Sequence, residues 1–291
     1  MKKEKVRYFF LIFISLSFLV FIFAIGYTSM ELKYVPFPKE IEATAMIISK
    51  NAHTPFWEKT LIIKFPKKRR ALSTRNGFLD IWIAVNHSAS PELWKKVCKE
   101  KKKSHKVGGL VYIEELRKAL AQKYKIKTEE IAILATAADM DNLAVVTKKF
   151  KTKEVNLIVT ALVTAGAKSN ALRTGVDSGW YLDGKKLNKP GTVNIILLTN
   201  VKLTDGAMAR AIITATEAKT AAFQDLKIQS CYTKNVIATG TGTDSVIVVS
   251  GEEEPIITYT GGHSKIGELI GKAVYQAVKI ALCKQNGFCQ K

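Results

Sequence analysis

A chain of 291 residues, 47% hydrophobic and 24% charged, has the balance of a globular protein with a sizeable core, in one large domain or two small ones. Its net charge of +20 raises a nucleic-acid partner, but the cations are mostly dispersed lysines. The short clusters at Lys67–Arg70 and Lys99–Lys106 lack interleaved aromatics and any nucleic-acid motif, so they read as surface charge, with attraction to an anionic membrane surface as the next choice.

The first element is apolar. From Tyr8 to Tyr27 no charge interrupts about 20 residues, enough at 1.5 Å per residue to cross a hydrocarbon core about 30 Å thick. The expectation is a single-pass membrane helix within residues 1–28, with a cleaved signal peptide as the rival. Lys2, Lys3, Lys5 and Arg7 precede the span and only Lys33 and Lys39 follow closely, which places the N-terminus inside and the body outside the cytoplasm. Pro36 and Pro38 then mark an extended linker. The expected division is linker and lead-in over 29–59, one domain over 60–285 and a tail over 286–291.

Apolar runs rich in β-branched residues predict strands over 60–65, 79–85, 131–137, 156–164, 193–199, 244–250 and 256–260. Helical periodicity predicts helices over 112–124, over 204–226 with Thr204 or Asp205 as cap, and from Ser264 to about Cys283. Strands and helices mix without strict alternation. The fold class expected is therefore α+β, as mixed α/β layers, in a single domain with a mixed sheet. The four cysteines form no metal pattern; Cys283 and Cys289 form a local disulfide if the body is exported, or stay free thiols. The four histidines are scattered, so no metal site is expected.

Polar residues collect where strands end: Asn86 and His87; Asp139 and Asp141; Asn170, Arg173 and Asp177; Thr239, Thr241, Thr243 and Asp244. Each alone is an ordinary cap or turn former. Together they suggest loops converging on a ligand. Within the long helix, Glu217 and Lys219 interrupt an alanine run and point different ways. The stretch "YTGGHSKIGELIGKAV" puts Gly261, Gly262 and His263 before a helix capped by Ser264, where free N–H groups face out.

In that order, "LSTRNGF…AVNH", "TAADM", "TAGAKSNALRTGVDSG", "GTVNIILLTN", "AMARAIITATEAKTAAFQDL", "ATGTGTDSVIVVSG" and "YTGGHSKIGELIGKAV" resemble the adenosylcobinamide amidohydrolase (CbiZ-type) family. The resemblance runs from about Pro66 to Cys283. It implies hydrolysis of the amide joining the aminopropanol arm to the corrin ring of adenosylcobinamide, giving adenosylcobyric acid in corrinoid salvage; a membrane-anchored corrinoid-binding protein without turnover is the alternative. The substrate carries its own cobalt, so no cofactor or separate metal is implied, and no nucleic-acid partner. Oligomeric state is left open. The catalytic candidates are His263 as general acid or base and Asp244 orienting it or a water, with Glu217 and Asp139 in reserve. Substrate-binding candidates are Asn86, His87, Asn170, Arg173, Asp177, Thr241, Thr243, Gly261 and Gly262, the glycines offering oxyanion donors. Thr241 or Thr243 becomes a nucleophile only if a base touches its hydroxyl; direct attack by water is preferred. On this assignment His263→Ala lowers turnover about a hundredfold or more.

Overall fold

The computed structural model describes residues 30–100, 108–179 and 191–289. The apolar stretch Tyr8–Tyr27 lies outside the described residues, and no described helix is long and apolar enough to cross a membrane.

Nine strands build one mixed sheet. In spatial order these are β1 (Met30–Tyr34), β2 (Thr44–Lys50), β3 (Glu58–Ser73), β10 (Ser245–Val249), β8 (Val193–Thr199), β7 (Asn156–Ala165) and β6 (Ala144–Lys151). On its other edge β3 pairs with β4 (Gly77–Ala89), which pairs in turn with β5 (Ile131–Thr136). Only β10–β8 and β4–β5 run parallel within it. A two-stranded ribbon, β9 (Val201–Leu203) with β11 (Glu253–Ile257), stands apart.

The sheet curls, and three apolar clusters show how. The inner one is built almost wholly of strand residues, among them Ile47, Leu61, Ala84, Leu134, Leu162, Ile196 and Ile247. One outer face is covered by helix α2 (Gly108–Tyr124), preceded by α1 (Pro91–Glu100); Ile113, Leu120 and Ala121 pack there on Ile62, Val85 and Ile133. The other carries α3 (Asp205–Asp225) and α4 (Lys265–Asn286), whose Ala211, Ala215, Ala222, Ala273 and Ala277 let both helices lie close to β6, β7, β8 and β10. Alternation explains the division: successive strand residues face opposite ways, so Leu197 serves the outer cluster and Ile196 and Leu198 the inner. β7 and β8, covered on both faces, are buried along nearly their whole length.

Caps fall where the sequence puts them. Thr204 accepts from Ala207 N–H at the start of α3, and Ser264 from Gly267 N–H at the start of α4. The proline-marked lead-in contributes β1 and β2 rather than extended chain alone, pairing Met30–Tyr34 with Met46–Lys50. The Lys67–Arg70 cluster lies within β3, and Arg69 is 2% exposed beside Glu42 and Glu252, not part of the solvated surface. Cys283 and Cys289 are joined in a disulfide.

Candidate active site

One end of the curled sheet is polar. Here β4, β5 and β7 finish while β8 and β10 begin, so several chain segments deliver side chains to one place. Asn86 and Asn194 are each 1% exposed. The Asn86 Nδ2 donates to Thr164 Oγ1 (2.9 Å), and its Oδ1 accepts from Asn194 Nδ2 (2.8 Å), which also donates to the Ala135 carbonyl (3.0 Å). Asn170 Nδ2 donates to the carbonyls of Gly191 and Thr241. The rim continues through Asp139. Its Oδ1 accepts from Lys59 Nζ (2.8 Å) and from Asp141 N–H (3.0 Å), while Lys59 also meets Asp141 Oδ2 at 2.5 Å. Burial pulls the Lys59 ammonium down, but its hydrogen bonds to two carboxylates outweigh it and leave its pKa above the ordinary lysine value. Asp139 Oδ2 has no partner among the described residues, and the side chain is 30% exposed.

A second polar group sits on the helix side of the same strand ends. Asp244 accepts from Lys219 Nζ (2.5 Å), Val193 N–H (3.0 Å), Thr241 N–H (3.2 Å) and the Thr241 hydroxyl. With four donors its lone pairs are engaged, which makes it a strong organiser of the 239–244 loop. Gly240 leaves room for the ion pair: a Cβ there would displace Asp244 Oδ2 and Lys219 Nζ. Thr243 closes the loop by donating to Gly191 O (3.0 Å).

The C-terminal end of α4 locks these loops. Gln285 Oε1 accepts from Asp139 N–H (2.9 Å) and Asn142 Nδ2 (2.7 Å), Asn286 Oδ1 accepts from Ala167 N–H (2.8 Å), and Lys284 Nζ donates to Leu143 O (3.1 Å). The disulfide and the left-handed Gly287 finish the helix just beyond.

Asn86, Asp139, Asn170, Thr241, Thr243 and Asp244 therefore gather at this end. Arg173 and Asp177 lie on the adjoining loop and are occupied locally: Asp177 accepts from Arg173 N–H, Ser230 and Thr233, which hold its carboxyl below the usual range, and Arg173 Nη1 reaches Ile237 O. His87 follows Asn86 in the strand and so faces the opposite side. It is fully buried, with Nδ1 2.9 Å from Thr60 Oγ1 and Nε2 3.1 Å from the Tyr112 hydroxyl. That hydroxyl donates to Glu58 (2.9 Å), so its one proton is spent, His87 Nε2 must carry the imidazole proton, and Nδ1 accepts from Thr60. Burial pulls the imidazole down to about 4.

Gly261, Gly262, His263 and Glu217 sit elsewhere. Gly262 and Glu217 line a groove of about 430 Å³ between α3 and α4, with Ala218, Gly267, Glu268 and Gly271. His263 is exposed and has no hydrogen-bond or ion-pair partner among the described residues. Two of the nearby glycines answer a packing need, whereas a Cβ on Gly262 would meet nothing within 4 Å. A Cβ on Gly267 would strike the Gly261 carbonyl, and one on Gly261 the Tyr259 ring. The structure does not bring His263 to Asp244, and about 22 residues of helix, roughly 33 Å, separate it from the Gln285 end.

Lys59, Thr164, Asn194, Lys219 and Gln285 were not singled out as site residues from sequence. Two of them carried a signal. Lys219 shares a helical face with Ala215 and Ala222, both buried, and Asn194 interrupts an otherwise apolar strand. Among the described residues no three His, Cys, Asp or Glu side chains converge as metal ligands.

The family model of adenosylcobinamide amidohydrolase matches residues 44–290. An uncharacterized protein of Methanocaldococcus jannaschii is 47% identical over 240 residues, 78% of this chain and 87% of its own. The adenosylcobinamide amidohydrolase of Methanosarcina mazei is 32% identical over 178 residues, 58% of this chain and 74% of its own. Among solved structures, a Pyrococcus horikoshii protein aligns over 88% of this chain and 85% of its own at 12% identity, with a TM-score of 0.40, too low to carry an argument.

Proposed function

The chain belongs to the adenosylcobinamide amidohydrolase family, and from that premise we propose that it hydrolyses the aminopropanol amide of adenosylcobinamide to adenosylcobyric acid, a corrinoid-salvage step. The observation that carries the placement of the chemistry is Asp139. It is a partly exposed carboxylate with one oxygen uncommitted, held by Lys59 and Gln285 at the same end of the sheet as three buried carboxamides. Asp139 takes a proton from water as the water oxygen attacks the amide carbonyl, then returns it to the nitrogen as the C–N bond breaks, releasing carboxylic acid and amine. Lys219 and Asp244 hold the 239–244 loop in place for this step. The cobalt enters with the substrate.

The same reading keeps Tyr8–Tyr27 as a membrane tether with the body outside the cytoplasm, supported by the flanking charges. Labelling intact cells with an impermeant thiol reagent tests it: a body that reacts only after lysis reverses the orientation. The test of activity is direct. The protein is incubated with adenosylcobinamide and aminopropanol is assayed; binding without release leaves a corrinoid-binding protein instead.

A further inference from the structure

Two oxygens in the site have no donor. Asn170 Oδ1 and Asn194 Oδ1 are buried and make no hydrogen bond among the described residues, in side chains 4% and 1% exposed overall. Neither can be cured by turning the amide over. Asn194 Nδ2 faces the Ala135 carbonyl and Asn86 Oδ1, and Asn170 Nδ2 faces the carbonyls of Gly191 and Thr241. All four partners accept, so a flip would set oxygen against oxygen. The protein thus spends its backbone carbonyls and Asn86 on orienting two buried side chains whose acceptor oxygens meet no donor among the described residues. An unmet buried acceptor destabilises the fold, and such groups are rare in native proteins.

The two residues also bracket one turn of chain. Asn170 binds Gly191 O, and Asn194 lies three residues on, at the start of β8, where Gly166, Ala138 and Gly191 approach one another. Asp139 follows Ala138 directly.

We propose that Asn170 and Asn194 form an acceptor pair that receives N–H groups from substrate carboxamides, so that the site selects a corrinoid whose side chains are amides over one whose side chains are esters. This rests on the corrinoid reading above and adds a basis for selectivity to it. An ester carbonyl accepts but never donates, so it leaves both oxygens unmet. A site built to hydrogen-bond a donor rejects the analogue that lacks it more sharply than it rejects a change of size.

The experiment measures binding of dicyanocobinamide and of dicyanocobyrinic acid heptamethyl ester, by absorbance titration, to the wild type, Asn194→Leu and Asn170→Leu. The expected wild-type preference for the amide is roughly ten- to hundredfold, collapsing toward unity in each variant that keeps the wild-type circular dichroism spectrum. Equal wild-type affinities overturn the proposal with no variant needed, and mean that the two oxygens hold water only. A preference that survives both substitutions overturns it too. Release of aminopropanol without amide selectivity sinks this proposal alone, whereas absence of any corrinoid binding sinks it together with the functional reading.

Discussion

The two ends of α4 make opposite use of similar material. At its start, Gly261, Gly262, His263 and Ser264 form the most conspicuous motif in the sequence, yet there the cap bond and close backbone packing account for Ser264, Gly261 and Gly267, and His263 stands in solvent. At its finish, Lys284, Gln285 and Asn286 look like an unremarkable polar tail and bind two loop segments, Asp139–Leu143 and the one at Ala167. A motif's visibility in sequence measures how unusual its residue types are, whereas a site is made by which backbones converge. Five experiments press on this contrast.

The largest effect is expected at Lys219. Lys219→Met leaves Asp244 as an uncompensated carboxylate in a nearly closed environment, so stability falls by about 3–5 kcal/mol, read as a lower midpoint in denaturant. A change below about 1 kcal/mol would show that the pair is solvated and organises nothing.

Next comes acid. The unfolded His87 imidazole takes a proton below about pH 6.5, and the folded one resists until about 4. Stability is therefore complete above pH 6.5 and is lost as pH falls toward 4, by about 3 kcal/mol in all. His87→Gln, followed by unfolding at several pH values, should flatten that slope. This control sharpens the comparison, because an acid loss of activity would otherwise be credited to His263.

Asp139→Asn should cut turnover by about a hundredfold or more while leaving the melting temperature nearly unchanged. Retained turnover would remove the base from this end of the sheet.

Gln285→Leu deletes two hydrogen bonds to the Asp139 loop and costs about 1–2 kcal/mol, with a several-fold fall in turnover. His263→Ala closes the series: on this geometry turnover stays within about threefold of wild type. A hundredfold loss, as the motif alone suggests, would move the reaction centre to the α3–α4 groove.

Much of the architecture was legible. β8, α3 and the start of α4 follow from apolar runs and caps that local physics settles, so Val193–Thr199, Thr204 and Ser264 fall as read. β6 was missed because "AVVTKKFK" lies half in solvent at the sheet's edge, and its lysines mask the alternation. β1 was missed because all five of its residues are exposed, and the extension of β3 through Lys67–Arg70 because its run of charges hides the alternation. The site divided the same way. Asn86, Asn170 and Asp244 stood out by residue type and location at strand ends. That Lys219 would point inward and Glu217 outward needed the helix phase, and that Lys59 would meet Asp139 needed β3 to run beside β4.

Asn86 and His87 are neighbours in sequence and strangers in space, one in the carboxamide cluster and the other in the relay under α2. Nothing but the two-residue period of β4 keeps them apart. The strand therefore works as a reading frame. Inserting one residue between Val85 and Asn86 would turn the imidazole onto the carboxamide face and the amide in among aromatic rings, without changing either side chain.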